Sequence, residues 1–276
     1  MTILDGNKLA DRILDNLKKK IIEKKLNLKL AVVLAGESLA SKSFIRKKEE
    51  ASRKIGIEFN LSFFPLDVSE DDLKKEVKRL AEDASVSSIV IQLPLPKGFN
   101  APDILNMIPP EKDIDVLTDI NFDKFERNKL MILPPVVGAV KCFLEEFNID
   151  INNKKVVIVG KGRLVGKPLA VWFKNRNINY SVIDRSTKNI SEITKEADII
   201  ISGAGSPGII TDKMVKEGVV LIDAGTSSEE GRVKGDIDKN AYHKASFIAP
   251  VPNGIGPVAV ACLLDNLFKF AIIKAE

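Results

Sequence analysis

Short apolar runs alternate with amphipathic stretches along roughly the first half of the chain. Residues 30–34 and 88–93 are mainly apolar runs of strand length, and the alternating residues 57–64 predict a further strand. Residues 7–26 and 41–54 instead place apolar side chains at helical spacing between lysines and glutamates. Strands that alternate with helices are typical of a parallel sheet covered by helices. The pattern therefore predicts an α/β unit.

The alternation resumes after a proline-rich break at residues 132–136. The first apolar run beyond it, residues 156–159, is four consecutive β-branched side chains, as expected of a strand buried on both faces. Residues 257–272 form a broad apolar helical pattern after a Pro/Gly-rich turn at 247–257. Three more runs predict a second parallel sheet: residues 179–183, 197–202 and 219–223.

A glycine-rich segment follows the strand predicted at residues 156–159. Gly160, Gly162 and Gly166 precede a predicted helix that contains Pro168. Strand, glycine turn and helix N-terminus together form a cradle for phosphate, because backbone N–H groups can approach an anion. The glycine spacing is one residue longer than the usual dinucleotide fingerprint, and a tight turn without a ligand is the simpler alternative. The glycine-rich ends of the following strands favour the cofactor interpretation.

The end of the second strand of this half bears on the choice of dinucleotide. An acid at this place binds the ribose hydroxyls of NAD, whereas an arginine accommodates the 2′-phosphate of NADP. Here Asp184 and Arg185 are adjacent, and Lys161 and Arg163 add positive charge in the glycine segment. The sequence favours NADP and leaves NAD open.

Composition excludes several other classes of protein. The 276 residues are 45% hydrophobic, and the net charge of +4 is spread over interspersed lysines and glutamates, which argues against a nucleic-acid surface. The apolar runs look too short to span a membrane, and the N-terminus lacks a signal-peptide pattern. Cys142, Cys262 and the single histidine, His243, are too few and too dispersed for a metal site. We expect a cytoplasmic protein without a metal.

Several motifs, in one order along the chain, resemble the bifunctional methylenetetrahydrofolate dehydrogenase/methenyltetrahydrofolate cyclohydrolase family. The resemblance runs nearly end to end and implies two α/β domains across a cleft, the second of Rossmann type with a parallel sheet. We predict a folate-binding catalytic domain over residues 1–132, completed by a terminal helix at 256–276, and an NAD(P)-binding domain over residues 133–255. The motifs are Ser41-x-x-Phe44-x-x-x-Lys48, the QLPLP of residues 92–96, the KDID of 112–115, the VGKP of 165–168, the GDID of 235–238 and the PVP of 250–252.

The resemblance implies three catalytic residues. Lys48 matches the catalytic lysine of the family, Gln92 the glutamine that orients it, and Asp115 the aspartate that holds the pterin. A lysine that transfers protons near neutral pH must be partly neutral, which burial or a nearby cation achieves. A carboxylate can accept two N–H groups from the pterin. The simpler alternatives are that Lys48 is a solvated surface lysine and that Asp115 forms an ordinary salt bridge in a loop.

The resemblance also implies ligand-binding residues, a homodimer, and NADP as the cofactor. Phe44 replaces the usual tyrosine, and Val116 and Asn253 replace usual glycines. The substrate-binding candidates are Ser41, Phe44, Leu93, Pro94, Pro252 and Gly254. The cofactor-binding candidates are Gly160, Lys161, Gly162, Val165, Gly166, Arg185, Ser186, Gly205 and Thr226.

The expected activity is NADP-dependent oxidation of 5,10-methylenetetrahydrofolate, followed by hydrolysis of the methenyl product to 10-formyltetrahydrofolate. Three alternatives stay open from the sequence. The first is an NAD-linked dehydrogenase with little cyclohydrolase activity, and the second is a relative that acts on another substrate. The third is a non-catalytic module that binds a nucleotide or folate.

Overall fold

A computed structural model describes residues 1–36, 39–229 and 232–275. The strands are β1 (Thr2–Ile3), β2 (Lys29–Ala35), β3 (Glu58–Phe64), β4 (Ser88–Ile91), β5 (Val156–Val159), β6 (Tyr180–Ile183), β7 (Ile199–Ser202), β8 (Val219–Asp223), β9 (Ser227–Glu229), β10 (Arg232–Lys234) and β11 (Ala245–Ala249). The helices are α1 (Gly6–Glu23), α2 (Leu39–Ile55), α3 (Glu70–Glu82), α4 (Ala101–Leu105), α5 (Asp119–Glu126), α6 (Pro135–Glu146), α7 (Gly166–Lys174), α8 (Ile190–Lys195) and α9 (Ile255–Ala275).

The chain divides into two compact units. One contains residues 1–10 and 136–259, and the other contains residues 11–135 and 260–276. We refer to them as the glycine-loop unit and the Lys48 unit. The first ten residues therefore lie outside the unit to which the sequence assigned them. The reason is a parallel pairing of Thr2 and Ile3 with Phe247 and Ile248, which places β1 in the sheet of the glycine-loop unit.

The Lys48 unit is built on a three-stranded parallel sheet. The strand order is β3-β2-β4, and β3 lies at an edge. Every residue of β4 is buried, as is all of β2 except its first residue, as the unbroken apolar runs predict. Apolar side chains of β2, β4 and α3 form the core of this unit, and Leu73 and Val77 of α3 have no exposed surface.

The glycine-loop unit is built on a six-stranded sheet with the order β1-β11-β8-β7-β5-β6. All its neighbouring strands are parallel. The chain moves outward from β5 in both directions, since β6 lies on one side of it and β7 on the other. Such a reversal is the place where parallel α/β sheets bind ligands, beyond the carboxyl ends of the strands.

The structure corrects two expectations in this region. Residues 245–249 form β11, whereas the sequence predicted a turn from residue 247 onward. The last helix also has a window, Ile255–Lys274, that is long and apolar enough to cross a membrane, with a mean hydropathy of 1.6. The core helix of a soluble protein meets the same criterion, and here Asn266 of α9 is buried and hydrogen-bonded to two backbone carbonyls of the Lys48 unit.

Candidate functional site

Helix α2 carries three of the predicted site residues on one face. Ser41, Phe44 and Lys48 are three and four residues apart, which brings side chains together along a helix. Ser41 is buried, while Phe44 and Lys48 are half-buried. This intermediate exposure suits groups that contact a ligand and also pack against their own unit.

Gln92 connects this face of α2 to the end of β4. The Lys48 Nζ donates to Gln92 Oε1 at 2.9 Å. Gln92 Nε2 donates to the Leu93 carbonyl oxygen at 2.9 Å, so the amide oxygen is turned toward the lysine. Leu93 is half-buried, Pro94 is exposed, and the peptide bond between them is cis. The structure thus brings together the lysine and the glutamine that the resemblance singled out.

Asp115 is electrostatically coupled to Lys48. Burial lowers the pKa of the Lys48 ammonium, and the nearby Asp115 carboxylate opposes that shift only in part. Burial likewise raises the pKa of Asp115 to about 6, against the attraction of Lys48. A lysine with a lowered pKa has a larger neutral fraction near pH 7, so it can accept and return a proton.

The loop that carries Asp115 is held by buried polar side chains. The Asp113 carboxylate accepts the Leu117 and Thr118 N–H groups at 3.1 and 2.9 Å. Asn121 Nδ2 donates to the Pro110 carbonyl oxygen at 2.7 Å, and Asn266 Nδ2 donates to the Ile114 carbonyl oxygen at 2.9 Å. The motif containing Asp113 was visible in the sequence, but nothing in the pattern linked Asn121 or Asn266 to it.

Two of the departures from the family pattern lie at positive φ. Val116 has φ +59° and Asn253 has φ +74°, in the left-handed region where glycine is unstrained. Asparagine adopts this conformation readily, whereas a β-branched residue there is strained. Val116 is almost fully buried, so the burial of its apolar side chain offsets part of that cost.

The predicted phosphate cradle lies at the carboxyl end of β5. Gly160 has φ +99°. A Cβ on Gly166 would overlap the Gly160 carbonyl oxygen, so the start of α7 lies directly against the loop. Val165 precedes α7, and no side chain in the described part of the chain caps this helix. The Lys167 N–H donates to the Gly162 carbonyl oxygen at 3.0 Å and Pro168 has no N–H group, so the helix dipole is what favours an anionic group at these two positions. Gly162, by contrast, has free space at its Cα.

Asp184, at the end of β6, is occupied by protein donors. Its carboxylate forms an ion pair with Lys161 at 2.7 Å and accepts the Ser186 N–H and hydroxyl at 2.9 and 2.6 Å. These interactions hold the pKa of Asp184 well below its usual range, with the Lys161 hydrogen bond the largest cause. Arg185 is exposed, and no described residue forms an ion pair with it. Its guanidinium is therefore available to a ligand.

The remaining candidates fall in the glycine-loop unit. Gly205 follows β7 with φ +63°, and Thr226 is exposed after β8. Pro252 and Gly254, expected to bind substrate, lie between β11 and α9, and the Val251–Pro252 peptide bond is cis. The structure does not group these two with Lys48, which belongs to the other unit. Within the described ranges, no three His, Cys, Asp or Glu side chains are arranged to hold a metal ion.

Two family descriptions match the chain. Residues 4–115 match the tetrahydrofolate dehydrogenase/cyclohydrolase catalytic domain, and residues 134–275 match the NAD(P)-binding domain of the same family. Lys48, Gln92 and Asp115 lie within the first match, and the glycine loop lies within the second.

Individual relatives agree over nearly the whole chain. The "Bifunctional protein FolD" of Hydrogenobaculum sp. (strain Y04AAS1) is 42% identical over 272 residues, which cover 98% of each chain. The bifunctional FolD enzyme of Campylobacter jejuni superposes with a TM-score of 0.92 at 34% identity and covers 99% of both chains. The Trypanosoma brucei dehydrogenase-cyclohydrolase, complexed with NADP and an inhibitor, has a TM-score of 0.94 at 30% identity and covers 100% of this chain and 98% of its own. These matches confirm the resemblance seen in the motifs, and the chain belongs to the tetrahydrofolate dehydrogenase/cyclohydrolase family.

Proposed function

We propose that this protein oxidises 5,10-methylenetetrahydrofolate with NADP and hydrolyses the methenyl product to 10-formyltetrahydrofolate. One observation carries the proposal most directly. The Lys48 ammonium is held by Gln92, is coupled to Asp115, and has a lowered pKa, all within a unit that matches the family's catalytic domain. Such a lysine is suited to proton transfer during the addition of water to the methenyl carbon.

Four candidate residues of the Lys48 unit have distinct parts in this proposal. Asp115 accepts N–H groups of the pterin and fixes its orientation. The Phe44 ring offers an apolar face to the pterin but no hydroxyl group. Neutral Lys48 takes a proton from the attacking water, and its ammonium form returns a proton to the folate nitrogen as the carbon–nitrogen bond breaks. Gln92 keeps the amine in place through both transfers.

The glycine-loop unit fits a dinucleotide. Gly160 and Gly166 let the loop and the start of α7 lie close together, because added Cβ atoms there would clash with neighbouring backbone, and the dipole of α7 favours a diphosphate at this end. When bound, the nicotinamide supplies the hydride chemistry of the oxidation. The glycine loop and the start of α7 would hold the phosphates of the cofactor and orient it.

The surroundings of Asp184 favour NADP. Lys161 and Ser186 already occupy the carboxylate that would otherwise bind ribose hydroxyls, and the ion pair offsets its negative charge. The exposed Arg185 next to it offers a positive charge and a fork of donors to a 2′-phosphate. The NADP in the Trypanosoma brucei relative is consistent with this choice.

Replacing Arg185 with alanine is expected to weaken NADP binding by about 10- to 150-fold, the equivalent of about 1.5–3 kcal/mol for a charged hydrogen bond. The affinity for NAD should stay within about twofold, because NAD lacks the 2′-phosphate. Titration of both cofactors into wild type, R185A and the exposed control K188A measures the difference. Equal losses for NADP and NAD would contradict the role assigned to Arg185.

The value of kcat/KM for methylenetetrahydrofolate should fall as the pH drops below about 6. Burial raises the pKa of Asp115 to about 6, so the group takes up a proton there and no longer accepts two N–H groups. A pH profile from 5 to 8 tests this, because kcat/KM reports groups of the free enzyme. The acidic limb should disappear in Asp115→Asn and persist in Glu111→Gln. A limb that persists in D115N would assign it to another group.

A direct assay tests the function itself. Purified protein is mixed with methylenetetrahydrofolate and NADP, then NAD, and the reduced nicotinamide and the methenyl product are followed separately. We expect NADPH to form without accumulation of the methenyl compound. Accumulation would remove the cyclohydrolase half of the proposal, and no reduction with either cofactor would overturn it entirely.

We propose in addition that the chain forms a homodimer through the exposed edge of its three-stranded sheet. Among the described strands none pairs with the outer edge of β3, whose side chains Leu61 and Phe63 are 44% and 46% exposed. Apolar side chains on an open edge promote association. Light scattering should give a dimer for wild type and a monomer for Phe63→Lys, with Met131→Lys as an exposed control. A monomeric wild type would rule the dimer out.

A further inference from the structure

Asp236 is a buried carboxylate whose hydrogen bonds all lead to the end of β7. It has no exposed surface. Its Oδ2 accepts the Ser202 hydroxyl and the Ala204 N–H at 2.7 Å each, and the Gly205 N–H at 3.2 Å. Its Oδ1 accepts the Ser206 N–H at 2.7 Å. Three successive backbone N–H groups therefore converge on one side chain. They form an anion-binding nest in which the Asp236 carboxylate is the bound anion.

The segment held in this way, residues 203–206, lies against the glycine loop. A Cβ placed on Gly160 would come within 2.9 Å of the Gly203 carbonyl oxygen, and one on Gly203 would overlap the Val165 side chain. The two loops follow β5 and β7, which are neighbours at the point where the strand order reverses. Any displacement of residues 203–206 would therefore reach the phosphate cradle.

A second buried carboxylate holds the first. Asp223 accepts the Asp236 and Ile237 N–H groups at 3.1 and 2.9 Å, and also the Gly225 N–H at 3.1 Å. The carboxylates lie so close to backbone that a Cβ on Gly225 would overlap Asp236 and one on Gly235 would overlap Asp223. Asp236 is thus fixed by its own backbone as well as by its side chain.

Burying two carboxylates costs desolvation free energy, which the hydrogen bonds must offset. A buried carboxylate without a cation is retained only when hydrogen bonds satisfy it. Burial raises the pKa of Asp223 to about 7. All three amides of residues 204–206 are used internally, so this segment cannot donate them to a phosphate. The segment can act on a bound dinucleotide only through its other groups and through its position.

We propose that Asp236 is a positioning residue for the cofactor: it fixes residues 203–206 against the glycine loop and thereby sets the affinity for the dinucleotide. This inference rests on the proposed dehydrogenase function. It assigns to the aspartate of the GDID motif a role that acts through the β7 loop and requires no contact with the ligand.

The test is Asp236→Asn in the full-length protein. The amide keeps the size of the side chain but places an NH₂ donor against N–H donors. Fluorescence titration with NADPH should show a Kd raised about 10- to 100-fold. KM for NADP should rise in parallel, with kcat changed by less than about threefold, because the residue does not touch the reacting atoms. The thermal transition and the hydrolysis of methenyltetrahydrofolate, which uses no nicotinamide, report whether the variant is folded.

Two further variants keep the inference falsifiable. Asp238→Asn is the matched control, since that carboxylate accepts the Asn240 N–H at 2.8 Å in the turn after the motif, and its NADPH Kd should stay within about twofold. If D236N does not fold, Ser202→Ala removes one of the four donors and should raise Kd about two- to fivefold. A folded D236N, or a folded S202A in its place, with the wild-type Kd would overturn the role of Asp236.

The same titration separates this inference from the proposed function. Wild-type protein that binds NADPH but oxidises no folate would remove the function and still allow the Kd comparison to support Asp236. Wild-type protein that binds neither NADPH nor NADH would overturn both. Loss of kcat in D236N with unchanged KM and Kd would also contradict a positioning role.

Discussion

Replacing Lys48 with methionine is expected to slow the hydrolysis of methenyltetrahydrofolate by about 10²- to 10⁴-fold, the usual contribution of a general acid–base group. Methionine fills a similar volume without an amine, so Gln92 Oε1 loses the hydrogen bond that Lys48 Nζ donates at 2.9 Å. The rate is followed as the disappearance of the methenyl compound, with corrections for the uncatalysed reaction.

The control for Lys48 is its neighbour. Lys47→Met removes a half-buried lysine from the same helix, but one residue along α2 turns the side chain to another face. K47M should keep a rate within about threefold of wild type. A K48M enzyme that retains more than a tenth of the wild-type rate would show that another group moves the protons.

Gly166→Ala is expected to destabilise the protein by roughly 1–3 kcal/mol and to abolish measurable NADPH binding. The new Cβ would overlap the Gly160 carbonyl oxygen and lie 3.1 Å from the Lys161 Cα, so backbone on both sides of the cradle must shift. Denaturant unfolding gives the loss of stability, and fluorescence titration gives the loss of binding.

Gly162→Ala is the steric control for that variant. It lies in the same loop, yet the nearest atom to its added Cβ is the Gly203 carbonyl oxygen at 3.9 Å, an ordinary contact. Its free energy of unfolding should stay within about 0.5 kcal/mol of wild type. If G166A and G162A were equally stable, the close approach of α7 to the loop would not be a constraint on this fold.

The sequence predicted the regular elements with long apolar patterns and missed the short ones. Strand β5, for example, is a continuous β-branched run, and its predicted and observed bounds agree. In β1 only two residues pair, and β11 begins with Ala245 and Ser246 before a Pro/Gly-rich stretch. Both owe their strand conformation to pairing partners far away in the chain, which no local pattern reveals.

In the candidate site, too, the sequence predicted the residues that lie in motifs and missed those that support them from elsewhere in the fold. The motifs led to Lys48 and Gln92, and the structure places them in contact. The side chains that hold the loop of Asp115 were not found, because their partners are chosen by the tertiary fold. Asn266 and the Ile114 carbonyl, for example, are 152 residues apart. The burial that sets the pKa of Asp115 is likewise a property of the folded unit.

Asn266 also has a consequence for synthesis on the ribosome. Its amide donates to the carbonyl oxygen of Leu133, which is made 133 residues earlier. At ordinary elongation rates of about 5–20 residues per second, that interval lasts about 7–27 s. During this time the nascent segment around Asp115 has emerged but lacks its final partner, and the whole glycine-loop sheet except β1 is translated in between. The loop that carries Asp115 is therefore completed near the end of translation, although most of its own unit is made first.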